Sequence, residues 1–205
     1  MVYNVTYNNC TFEIVLKEKD IIRNYRIAKS IIGSHAVFNY LTVLQNQITF
    51  DQKRDALTGL SNYAKFVRHI MQQAELDYMP LEQEYLQLSM YLKMEQLRFG
   101  DSFEYEVKLD AQCSHTLFPV FVFLPFIELL VASIYKQSGE AKLIIELSNK
   151  QATISLSPSL PAFSTLERNT EQRTRYALWM EQIKQMDIVF KETNSGDINT
   201  YTLTK

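Results

Sequence analysis

"YMPLEQEYLQLSMYLKMEQLRFGDSFEYEV", residues 78–107, changes period partway along. Pro80, Glu82 and Glu84 suit the start of a helix. Proline has no N–H to lose there, and carboxylates complement the positive end of the helix dipole. Gly100 suits the helix end. From Phe103 the pattern alternates, with Phe103, Tyr105, Val107 and Leu109 on one face, as in a half-buried strand. A long helix running straight into such a strand predicts a mixed α+β fold.

Downstream, "LFPVFVFLPFIELLVASIY" (117–135) approaches the length of a membrane span. Pro119, Pro125 and Glu128 inside it argue for a buried helix over about 119–137 of a layered domain. "AKLIIELSN" and "QATISLS" read as paired strands joined at Asn149-Lys150. A helix over about 166–186 follows, with Trp179 and Met180 as core and the charged "LERNTEQRTR" as a solvated face. Two strands, "DIVFKE" and "NTYTLT", close the chain around a turn at Asn194–Asp197. Strands with helices on one face make an α+β sandwich.

Upstream, apolar residues recur at three, four and seven positions over about 20–49: Ile27, Ile31, Phe38, Leu41, Leu44 and Ile48. Gly33-Ser34 loosens this helix. Asp51 is the expected N-cap of a second helix over about 52–73, with Ala56, Leu57, Leu60, Tyr63, Ala64, Val67 and Ile70 or Met71 as its apolar positions. Two helices with a short join predict a helical hairpin. One hairpin covers these stripes only in part, and a second copy would complete a dimeric four-helix bundle. "VYNVTY" and "CTFEIVL" read as a β-hairpin turning at the intervening asparagines. The expected domains are a hairpin over 1–19, the helical hairpin over 20–78 and the sandwich over 79–205.

The totals exclude several classes. The chain has 205 residues, 46% of them hydrophobic and 21% charged, enough for a real core. A net charge of −2 lacks the basic stripe of a nucleic-acid binder. Cys10 and Cys113 have no metal spacing and are expected to be free thiols. The N-terminus has no basic and then apolar run, so no signal peptide and no membrane span are expected, and a cytoplasmic location follows. There are only five glycines, the residue from which phosphate-binding loops are built.

Four stretches carry a family resemblance, the opening one among them. "SHAVFNYL" (34–41) resembles the histidine box of LytS-type sensor histidine kinases, with His35, Phe38, Asn39 and Leu41 matching and Ser34 in place of a proline. "LSNYAKFVRHI" (60–70) is similar to the family's second-helix segment. The opening stretch matches through Leu81, Glu82, Glu84, Tyr91, Leu92, Glu95, Arg98 and Phe99. "FPVFVFLPFIELL" (118–130) looks like the entry to the family's asparagine box. The resemblance implies a dimeric bundle presenting a phosphoacceptor histidine, here His35, followed by a histidine-kinase ATPase-like α/β sandwich. It also implies ATP and Mg²⁺ as cofactors and a response regulator as partner.

The chemistry that the family requires is incomplete. Neutral imidazole can attack a γ-phosphate, but the rate comes from positioning and charge neutralisation by the ATP domain. The asparagine box keeps Glu128, while Leu129 stands where an asparagine oxygen would hold Mg²⁺. Ser157-Pro158-Ser159-Leu160-Pro161 replaces the aspartate- and glycine-bearing box that binds adenine. No glycine lies between Ser157 and Asn194 to cradle phosphates.

The reading is therefore a degenerate family member with His35 as candidate phosphoacceptor, Asn39 beside it, a vestigial Glu128, and no bound cofactor or metal. Glu128 is expected to serve structure through a hydrogen-bonded partner. Arg98-Phe99 and Tyr91 are expected to dock the bundle to the sandwich, and His69 and His115 to be ordinary surface or loop residues. The leading function is a pseudokinase scaffold, dimeric, binding a response regulator or a partner histidine kinase. The alternative is a histidine phosphotransferase relaying phosphoryl groups through His35, and an active histidine kinase ranks third.

Overall fold

A computed structural model describes residues 2–7, 10–15, 24, 26–29, 31–32, 34–134, 140–149, 151–161 and 170–205, with backbone alone for 2–15, 34–36 and 171. Strands β1 (Val2–Tyr7) and β2 (Cys10–Val15) pair antiparallel, from Val2↔Val15 to Tyr7↔Cys10. The described residues of 24–31 are helical, Ile32 is a turn residue, and helix α1 spans Ser34–Thr49. Gly33 lies outside the described residues.

Helix α2 spans Lys53–Gln73. Asp51, the expected N-cap, does not cap it. Asp51 adopts φ 62° and turns the chain, while Gln52 holds the cap position without a side-chain bond. Aspartate tolerates this left-handed region better than most residues, and the Asp51 carboxylate instead meets Lys53 at 3.2 Å in solvent.

The apolar positions of these two helices divide into two faces. Tyr40 and Leu44 pack inward with Ala56, Gly59, Phe66 and Ile70. The Tyr40 and Tyr63 rings stack at 5.1 Å, and the Tyr40 hydroxyl donates to the Gly59 carbonyl at 3.2 Å. Phe38, Leu41 and Ile48 of α1 and Leu57, Leu60 and Met71 of α2 are exposed. These outer residues step by three, seven or eleven, all near whole helical turns, so each helix carries a second apolar stripe.

Helix α3 (Leu81–Phe99) begins and ends where the sequence signals place it, with Gly100 at φ 64° closing it. It is the structural hinge-pin of the chain. One face meets α2 through the rings of Phe66 and Tyr91, 6.2 Å apart, and the other packs on strand β4 (Phe103–Leu109). Before α3, β3 (Tyr78–Pro80) pairs antiparallel with β5 (Leu117–Pro119).

That pairing corrects the expected helix over 119–137. Residues 117–119 are strand, Val120–Phe123 is an irregular buried segment with Phe121 at φ 58°, and helix α4 spans Leu124–Ile134. Pro119 cannot donate within a helix, whereas Pro125 sits in the first turn of α4, where no donor is required. Residues 135–139 lie outside the described set. Among the described residues, no helix is long and apolar enough to cross a membrane.

Strands β6 (Ala141–Leu147), β7 (Gln151–Ser157), β8 (Val189–Ser195) and β9 (Ile198–Thr204) join β4 in one sheet, ordered β4-β6-β7-β9-β8. β4 and β6 run parallel and the other pairs antiparallel. Alternation turns Leu143, Ile145, Ala152, Ile154, Leu156, Tyr201 and Leu203 inward. Ser195 pairs with Ile198, so the expected four-residue turn contracts to Gly196-Asp197, with Gly196 at φ 63°.

Helix α5 (Thr170–Gln185) covers the sheet. The start expected near residue 166 lies outside the described residues. Trp179 is fully buried and stacks on Phe126 at 4.9 Å, with Phe190 and Tyr201 packed edge-on to Phe126. The whole is α+β, and a single apolar core runs from Tyr40 and Leu44 through α3 to the sheet.

Candidate functional site

His35 lies in the first turn of α1, one residue after the helix begins. Asn39 stands one turn further on, partly exposed. The histidine box is therefore helical throughout, on the helix that carries the outer stripe of Phe38 and Leu41.

Glu128 is buried in α4, with its side chain 6% exposed. The Arg175 guanidinium of α5 reaches it at 3.1 Å. This is the structural partner that the sequence left unnamed. It corrects the reading of the early α5 charges as a purely solvated face, because Arg175 turns inward. A second pair, Arg98 with Glu95 at 2.8 Å, lies along α3. Tyr91 sits between the two pairs. Burial drives its hydroxyl well above the ordinary tyrosine range, Glu95 and Glu128 add to that, and Arg98 and Arg175 oppose it. Burial also raises the Glu95 carboxyl against the pull of Arg98 and of a hydrogen bond from Tyr91. Tyr91 meets Phe66 of α2 and the Phe99 ring lies 5.2 Å from Phe103 of β4, the contacts expected of docking residues, while Arg98 lies 5.0 Å over the Phe99 ring of its own helix.

Among the described residues, two positions where the resemblance implies nucleotide contacts, Leu129 and Leu160, are core side chains. Leu129 is 3% exposed in the core, and the Ser133 hydroxyl donates back to its carbonyl at 2.8 Å. After β7, Leu160 is buried and its N–H donates to the Asn199 side-chain oxygen at 2.6 Å. Pro158 and Pro161 have no N–H to offer. A phosphate cradle needs several free backbone donors converging on one point. Among the described residues, this donor set does not fit Mg-ATP. Among the described residues, no three His, Cys, Asp or Glu side chains gather in a way that could hold a metal ion.

The other histidines differ from each other. His115 is exposed, 3.8 Å from Glu82. His69 is half-buried between α2 and α3, against Gln73 and the backbone of Gln83, and burial lowers its pKa. The surface reading of His69 is corrected accordingly. Cys113 is a buried free thiol, and the side chain of Cys10 lies outside the described set.

Sequence reasoning missed Arg175 and Asn199. Arg175 precedes Trp179 by four residues and Gln182 by seven, which places it on the buried face of α5. Asn199 alternates with Tyr201 and Leu203, which places it on the inward face of β9.

Residues 23–103 match the Histidine kinase family. Over 113 residues the chain is 27% identical to the sensor protein LytS of Staphylococcus haemolyticus, a match covering 55% of this chain and 19% of that protein. Over 127 residues it is 25% identical to LytS of Staphylococcus epidermidis, covering 62% and 21%. The chain thus spans about a fifth of the length of the curated relatives it matches. Among solved structures, a bacterial phosphotransferase covers 93% of this chain, and 98% of itself, at TM-score 0.45 and 11% identity. The cytoplasmic segment of the histidine kinase QseC covers 72% of this chain, and 89% of itself, at TM-score 0.43 and 12% identity. Over residues 23–103 the chain is similar to histidine kinases, and it resembles the cytoplasmic core of a two-component sensor. Among the sensor proteins of that kind, its similarity is to those of the LytS type.

Proposed function

We propose that this chain is a pseudokinase of two-component signalling: a cytoplasmic scaffold with a kinase core's architecture, unable to bind ATP. The observation that carries this reading is the closed loop after β7, where Asn199 takes the Leu160 N–H and Leu160 itself fills the core. The Glu128–Arg175 pair supports it, because the one surviving carboxylate of the asparagine box is already neutralised by protein. The domains in this reading are the β-hairpin over 1–19, the dimerisation unit over 20–78 and the degenerate ATPase-like sandwich over 79–205.

The exposed stripes of α1 and α2 support a homodimer through a four-helix bundle, with a response regulator or a partner kinase engaged by that bundle. Thermal unfolding with and without millimolar Mg-ATP tests the nucleotide claim. A ligand at a hundredfold over its Kd adds about 2.7 kcal/mol, worth several degrees. No shift is expected, and a clear shift would overturn the reading.

A second reading is favoured by the position of His35 in the first turn of α1, on a helix with an open outer face. His35 then relays a phosphoryl group between partners, which requires no nucleotide pocket. Incubation with a phosphorylated response regulator distinguishes the two. Label that appears on the chain and is lost in His35→Ala supports the relay, and an unlabelled chain leaves the scaffold.

A further inference from the structure

Val120–Phe123 crosses the protein interior without regular structure, every residue between 0 and 1% exposed. A buried irregular segment must find partners for its backbone groups. Here the neighbouring elements supply them. The Trp179 indole N–H donates to the Val122 carbonyl at 2.7 Å, and the Gln182 amide donates to the Val120 carbonyl at 2.6 Å, both from α5. The Val120 N–H donates to the Asp77 carbonyl at 3.0 Å. The Phe121 amide faces the carboxyl of Glu84 on α3. Phe121 is held at φ 58°, a region that a residue with a β-carbon occupies only when its surroundings impose it.

Glu84 is fully buried, and neither of its oxygens reaches a partner at full hydrogen-bond geometry among the described residues. Gln87, its neighbour one turn on, is also fully buried, with both ends of its amide in the same condition. Burial pushes the Glu84 carboxyl up to about 8, and only the Phe121 amide draws it down. The charged and titratable groups on the surrounding elements are otherwise engaged. His69 of α2 faces the Gln83 backbone, Glu82 faces His115, and Glu128 of α4 faces Arg175 of α5. Asp77, ahead of β3, meets the segment through its backbone carbonyl. An ionised carboxylate in such a pocket is costly, whereas a protonated one brings a donor within reach of the Gln87 oxygen one turn away.

We propose that Glu84 is a proton-sensitive latch on the Val120–Phe123 segment. Protonated, it stays beneath the segment and the segment stays closed. When its proton passes to solvent, the carboxylate moves toward water and the segment opens. The segment leads directly into α4, which carries Glu128, and α3 carries the Tyr91 contact to α2. Opening therefore loosens both α4 and the seat of the histidine-bearing hairpin.

The chain contains its own reporter, because Trp179 is the sole tryptophan and is bonded to Val122 within the segment. Trp179 emission is followed from about pH 6.5 to 9, below the tyrosine range. A reversible red shift with its midpoint near 8 is expected in the wild type and absent in Glu84→Gln. No shift in the wild type, or the same shift in the variant, overturns the latch. If Glu84→Gln does not fold, the carboxyl ¹³C titration of Glu84 in the wild type decides. A midpoint near 8 supports the proposal, and one near the ordinary 4.5 overturns it.

Discussion

Arg175 of α5 holds Glu128 of α4 at 3.1 Å, with both side chains largely buried at 14% and 6% exposure. The pair ties α4 to α5. Removing one partner leaves an uncompensated buried charge, while replacing both with apolar side chains removes the desolvation cost along with the attraction. Arg175→Met is therefore expected to destabilise the fold by about 3–5 kcal/mol. Arg175→Met with Glu128→Leu should recover most of that loss. Urea unfolding of both variants and the wild type checks this, and equal losses in the two would disprove the pairing argument.

Asn199 is 1% exposed and accepts from the Leu160 N–H in the core. Asn199→Ala orphans that donor, at a cost of about 1–3 kcal/mol. It is also expected to free the loop after β7 without creating a nucleotide site, since Leu129 and the two prolines remain. The check is chemical denaturation together with a Mg-ATP thermal shift, which should stay at zero.

The elements set by strong periodicity were legible in the sequence: α2, α3, the strands of the main sheet, and the burial of Trp179. Three features were not, each for a physical reason. β3 and β5 are three residues each, too short to display a period, and their pairing brings together positions 78–80 and 117–119. The division of the α2 apolar residues into inner and outer faces follows from what α3 packs against, which the helix's own pattern does not contain. Arg175, Asn199 and Glu84 lie at apolar-face positions as polar residues, so a rule that places charge in solvent passes over them. For the candidate site, His35, Asn39 and Glu128 could be named from the resemblance, but the partner of Glu128 required the fold.

Gly59 tests how closely α1 and α2 approach. A β-carbon there would lie 2.5 Å from Leu44 Cδ2 and 3.2 Å from the Tyr40 hydroxyl. Alanine gains about 1 kcal/mol of helix propensity over glycine, against an overpacking cost of about 1–3 kcal/mol. The clash is the larger effect here because Leu44 and Tyr40 are themselves buried. Gly59→Ala is expected to lower the thermal midpoint, and a rise would show that Leu44 repacks freely.

Stability should depend on pH in two opposed ways. The folded Glu84 carboxyl sits near 8 against an ordinary 4.5. Between those values the native state keeps a proton that the unfolded chain has lost, so stability falls as pH rises, by up to about 1.4 kcal/mol per unit. Glu84→Gln should flatten this slope. His69 acts in the other direction. Its folded pKa lies below 6.5, so its own contribution falls as pH drops below 6.5 and protons bind the unfolded chain first, opposing the Glu84 slope there. His69→Gln should steepen the Glu84 slope below pH 6.5 and leave it unchanged above. Urea midpoints across the range read both contributions, and a slope between pH 6.5 and 8 unchanged by Glu84→Gln would assign it to another group.

The outer faces of α1 and α2 separate association from folding. Leu57 is 68% exposed and Phe38 67% exposed, each on a helix whose opposite face is already packed. Charge placed on the outer face costs the isolated hairpin little, since surface changes away from packed features stay within about 0.5 kcal/mol. Placed at the centre of a bundle, the same charge would be buried without a partner. Leu57→Glu with Leu60→Glu is therefore expected to give a folded monomer, whereas Phe66→Ala on the inner face should lose about 3–5 kcal/mol of stability through the cavity it leaves. Light scattering and circular dichroism on the two variants make the comparison. A wild type that is already monomeric at tens of micromolar would remove the bundle from the proposed function and leave the outer stripes to a different partner.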